Sequence, residues 1–135
     1  MLGYNEIGIL LGLFAVLIIL LARKKVQNPY ARSIWRSALL CFAFYAAILI
    51  IVEIRWHYLK QHALSFDLDQ NGFVDLHEYT EEAKEAMNRI TMDTARGFAF
   101  LTAAALSSII AFAFLVSDLT VTHLRLKKTK KNTYE

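Results

Sequence analysis

Side chains able to hold a cation are concentrated in one stretch, Asp67-Leu68-Asp69-Gln70-Asn71-Gly72-Phe73-Val74-Asp75-Leu76-His77-Glu78. Oxygen-bearing side chains fall at its positions 1, 3, 5 and 9, a glycine stands at 6, and a carboxylate able to use both oxygens stands at 12. A hard divalent ion such as calcium takes roughly six to eight oxygens, and no short helix or strand aims so many at one point. The glycine supplies the sharp turn that brings them together. Magnesium suits the same residues less well, because it gives up its waters reluctantly.

These residues meet the pattern D-x-[DN]-x-[DN]-G-x5-E at every specified position. The stretch resembles the EF-hand family, over roughly Trp56 to Ile90. The resemblance implies a helix-loop-helix that binds Ca2+, with Asp67, Asp69 and Asn71 giving side-chain oxygens and Phe73 its backbone carbonyl. Asp75 would act directly or through a water, and Glu78 would close the site from the first turn of the next helix. Leu59, Ala63 and Phe66 lead in at helical spacing, and Tyr79, Ala83, Met87 and Ile90 lead out. Phe66, Val74 and Tyr79 stand at the family's apolar positions. The alternative for the same residues is an acidic Asn71-Gly72 turn that merely joins two helices. Such a turn needs neither the first nor the twelfth carboxylate.

The elements that must carry this loop are apolar. Of 135 residues 56% are hydrophobic, a share too high for a small water-soluble domain. They are gathered in three long blocks, which predicts an all-α bundle of three transmembrane helices with the helix-loop-helix between the second and third spans. The chain divides accordingly into residues 1–55 with two spans, 56–96 with the loop and its helices, and 97–135 with the third span and a basic tail.

The charge-free run Ile7–Ala22 makes about 24 Å of helix against a hydrocarbon layer of ~30 Å, so it borrows Leu2 to Tyr4 or thins the bilayer. Its basic residues, Arg23-Lys24-Lys25, follow the apolar run, unlike those of a signal peptide. Pro29 marks the start of the second helix. Trp35 and Trp56 stand about 31 Å apart along it, a spacing that suits two interfacial belts. No helix breaker intervenes before Phe66, so the second span is expected to run on as the helix leading into the loop. Glu53 and Arg55 fall at its outer end, where interfacial anchoring is the plain reading and a place on an ion path the sharper one.

Beyond the loop, Leu76–Ala95 reads as a charged amphipathic helix, Asp93 to Gly97 as a joint flexing at Gly97, and Phe98 to about Val121 as the third span. Ala99, Ala103, Ser107 and Ala111 form a small-residue stripe, for which Gly8 and Gly12 are the expected partner, and Asp118 reads as interfacial. Ser107 and Ser108 are placed to bond back to their own helix.

Ten of the 15 Lys and Arg lie in the first loop and the tail. The positive-inside bias then puts the amino terminus and the metal loop outside and the carboxyl terminus in the cytoplasm, with a bacterial inner membrane the default. The basic tail, His123 to Glu135, is suited to anionic membrane lipid. The net charge of +3 does not signify nucleic acid, because the cations sit at block ends and not on an aromatic-studded face. Cys41 has no partner for an intrachain disulfide.

No catalytic set is legible, and His57, His62, His77 and His123 read as solvated or interfacial. Function is expected to be calcium sensing from outside, or service as a calcium-stabilised accessory subunit. The alternative is a calcium-gated oligomeric channel or transporter. EF-hand loops usually pair, so a single loop implies a homodimer through Phe73 to Asp75, or a larger membrane-protein complex that covers this face.

Overall fold

A computed structural model describes residues 3 to 133. Leu2, Glu135 and the side chain of Lys131 lie outside the described residues. The described chain is helical and contains no strand. Three of its helices are long and apolar enough to cross a membrane.

Helix α1 spans Tyr4–Leu21. Glu6 reaches back to accept from Gly3 N at 2.9 Å, which satisfies an orphan donor and places negative charge at the positive end of the helix. A short 3-10 turn, Ala22–Lys25, follows. Helix α2, Pro29–Leu64, is 36 residues long and therefore about 54 Å. Asn28 caps it by accepting from Tyr30 N at 2.9 Å, and Pro29 occupies a first-turn position where its missing N–H costs nothing. The expected unbroken helix from the second span to the loop is observed.

Two boundaries differ from expectation. Helix α3 is Glu81–Thr91, not Leu76–Ala95. Thr80 starts it late: its hydroxyl accepts from Ala83 N at 3.2 Å, and Glu81 and Glu82 fill a first turn that favours acids. Helix α4, Thr94–Thr133, absorbs Gly97 and continues through the tail. The joint therefore lies at Met92–Asp93, and Gly97 is an interior helical residue with nothing within 4 Å of the place a Cβ would occupy.

Helix α2 is the centre of the bundle. A Cβ on Gly8 would lie 2.6 Å from Leu49 Cδ1, and one on Gly12 would lie 3.1 Å from the Cβ of Ala46. The glycines therefore let α1 approach α2, and they face Tyr45, Ala46 and Leu49 instead of the small-residue stripe of α4. That stripe is buried against α2: Ala99 and Ala103 pack with the fully buried Leu49. Ser37 Oγ donates to the Ala111 carbonyl at 2.7 Å, and Ser33 and Thr122 hydroxyls lie 3.2 Å apart. Ser107 is wholly buried, and its hydroxyl has no hydrogen-bond partner among the described residues, so the expected back-bond is not made. Outward-facing Leu10, Phe14, Leu17, Leu101, Ile109 and Phe112 leave an apolar exterior on helices long enough to cross a membrane.

Candidate metal centre

The loop between α2 and α3 is shaped by its own acids. Asp67 Oδ2 accepts from Gly72 N at 2.8 Å and Oδ1 from Asn71 N at 3.2 Å, which folds the first half of the loop back on its first residue. Gly72 has φ +91°, a conformation that side-chain-bearing residues rarely adopt. Gln70, at φ 58°, carries the other left-handed position. Asn71 Nδ2 donates to Asp69 Oδ2 at 3.0 Å and to Asp75 Oδ2 at 2.8 Å, so two carboxylates are gathered on the Asn71 amide. Asn71 Oδ1 accepts from Phe73 N at 2.8 Å.

Glu78 is the buried member, only 4% exposed. Its Oε1 accepts from Leu68 N at 2.8 Å and Asp69 N at 3.1 Å, and its Oε2 from Asp75 N at 3.2 Å. The side chain thereby ties the end of the loop to its beginning. It does so from the turn before α3, and not from the first turn of the next helix that the resemblance implies. Phe73 contributes an exposed ring and an N–H bound to Asn71.

The six residues that resemblance selects are thus brought into one loop, but not into one equivalent set. Asp69, His77 and Glu78 offer ligand atoms that all lie within 4.8 Å of one another. His77, read from sequence as a solvated residue between ligands, belongs to this group. Its Nε2 lies 4.0 Å from Glu78 Oε1, while its side chain is 70% exposed. Oxygen chemistry fits a hard cation at Asp67, Asp69, Asp75 and Glu78. Asn71 fits once its amide turns to present Oδ1 where Nδ2 now points.

Helix α3 returns along the end of α2, where Ala63, Ala83 and Ala86 are buried. It leads to a second polar group that sequence did not reveal. Glu53 accepts from Asn5 Nδ2 at 3.0 Å and pairs with Arg96 at 3.2 Å, and Asn5 also donates to the Arg96 carbonyl at 3.1 Å. The Arg96 guanidinium lies 4.2 Å from the Trp56 ring centroid. Three helices meet here, and Glu53, expected to anchor at an interface, is largely taken up by this knot. At the other end Asp118 pairs with Arg36 at 3.5 Å, and Tyr30 Oη lies 3.1 Å from His123 Nδ1.

Comparison with protein-family models, with curated proteins and with solved structures finds no match for this chain.

Proposed function

We propose that the chain is a calcium-binding integral membrane protein, acting as an outside-facing sensor or as a calcium-stabilised accessory subunit of a larger membrane assembly. The observation that carries this reading is Glu78: a buried carboxylate, folded over the first residues of a loop in which Asp69 and Asp75 are already gathered on the Asn71 amide. Asp67, Asp69, Asn71, Asp75 and Glu78, with the Phe73 carbonyl, are the residues that would hold Ca2+. Bound there, the ion supplies a double positive charge that offsets the mutual repulsion of the carboxylates.

The chain's own residues provide the route onward. Glu78 joins the loop's two ends, Thr80 begins α3 two residues later, and α3 reaches α4 through the Met92–Asp93 break. Arg96, in the first turns of α4, is tied to Glu53 on α2. Movement at Glu78 is therefore handed to the place where α1, α2 and α4 are joined.

With the loop outside the cell, affinity belongs to the range of roughly 10⁻⁴ to 10⁻³ M that suits extracellular modules. Calorimetric titration of the detergent-purified protein tests this. Saturable binding of one ion per chain is expected, lost in both Asp67→Asn and Glu78→Gln. No binding by the wild type, or binding kept by both variants, overturns the proposal.

A further inference from the structure

We propose that Asp69, His77 and Glu78 give the same loop a second mode, in which it takes a divalent transition-metal ion, zinc being the best case, in competition with calcium. The competition rests on the calcium reading, whereas zinc binding itself does not.

The donor set is the first reason. Calcium seeks oxygen, and an imidazole nitrogen beside its site adds little to its binding. Zinc takes nitrogen at about 2.0–2.1 Å and carboxylate oxygen at about 2.0–2.2 Å, and one imidazole with two carboxylates is a borderline set that suits it better than either alkaline-earth ion.

Geometry is the second. The three ligand atoms lie within 4.8 Å of one another. Bond lengths near 2.1 Å put the ligands of a tetrahedral site about 3.4 Å apart, so the group must contract by up to about 1.4 Å. Most of that contraction falls to His77, whose side chain is 70% exposed and can turn, while the Glu78 side chain is 2% exposed and held by three loop amides. Glu78 is the fixed post, with one lone pair of Oε2 left free for the ion, and His77 is the arm. Three protein ligands leave a fourth position for water, as in open zinc sites.

Asp69 and Glu78 belong to both ligand sets, so the two ions exclude each other. Asp67, Asn71 and Asp75 serve the calcium set alone, and His77 serves only the zinc set. The single histidine therefore separates the two modes experimentally.

The test is a zinc titration of the full chain in detergent without calcium, repeated on His77→Ala and on His62→Ala, with Co2+ absorption as a spectroscopic readout of ligand geometry. Wild type is expected to bind one Zn2+ per chain, and His77→Ala to bind it at least tenfold more weakly, with loss of the Co2+ bands. Calcium affinity should stay within twofold in His77→Ala, and His62→Ala should leave zinc binding unchanged. Zinc should raise the apparent calcium Kd in proportion to its concentration. Absence of saturable zinc binding, equal zinc affinity in His77→Ala, or simultaneous binding of both ions would overturn the inference. Calcium binding measured without zinc decides the calcium reading separately.

Discussion

Glu78 is asked to do two things with one carboxylate. Both lone pairs of Oε1 and one of Oε2 are engaged by loop amides, so the group organises the loop as well as offering itself to an ion. Glutamine keeps one acceptor oxygen and adds a donor. With that oxygen at the Leu68 and Asp69 amides, the new NH2 faces the Asp75 N–H, leaving a buried donor unsatisfied at a cost of about 1–3 kcal/mol. Glu78→Gln should therefore speed hydrogen exchange at Leu68, Asp69 and Asp75 even in chelator, while the long apolar helices keep their protection. Asp75→Ala removes only the contact to Asn71 and should leave the Leu68 and Asp69 amides as slow as in wild type. Exchange mass spectrometry on both variants checks the distinction. His77 shows the limit of reading at this scale. The motif assigns no role to its eleventh position, and its approach to Asp69 exists only because Glu78 closes the loop.

At the scale of elements, the long helices were legible because uninterrupted apolar runs have few other solutions in a chain of this composition. Their ends were less so, because single side chains decide them: Thr80 takes the capping position and shortens α3, and the joint falls at Met92–Asp93 while Gly97 stays helical. Gly8 and Gly12 were recognised as a packing face, but the helix they meet depends on the tertiary arrangement. The two kinds of glycine separate cleanly by substitution. Gly8→Leu drives side-chain atoms into Leu49 and Tyr45 and should cost roughly 1–3 kcal/mol, or part α1 from α2. Gly97→Ala meets open space in a helix interior and should gain about 0.5–1 kcal/mol. Thermal unfolding in detergent reads both, and a Gly97→Ala variant that melts lower than wild type would restore Gly97 as a required joint.

For the whole molecule, the decisive link is between the loop and the bundle, and it was not legible because its partners lie far apart in sequence. Glu53 and Arg96 are 43 residues apart, and Asn5 and Arg96 are 91 apart. Neither pairing has a local signature. Only the return of α3 along α2 brings α4 back beside the part of α2 that carries Glu53. A site at one end of α3 and an ion pair just past its other end can be coupled only if the ion pair has two arrangements that metal binding favours unequally. Trp56 lies against Arg96 and so reports on that arrangement directly. In a Trp35→Phe background, calcium should change Trp56 fluorescence. Glu53→Gln and Arg96→Gln should each remove most of that change while leaving calcium affinity within about threefold, since neither residue is in the loop. Melting temperatures of the two single variants and the double variant should show a coupling on the order of 1 kcal/mol, as expected for side chains in direct contact. A full Trp56 response in Arg96→Gln would mean that the loop acts on the bundle by another path. A silent Trp56 in the wild type, with calcium bound, would mean that the ion only staples the loop, which is the accessory-subunit form of the proposal and not the sensor.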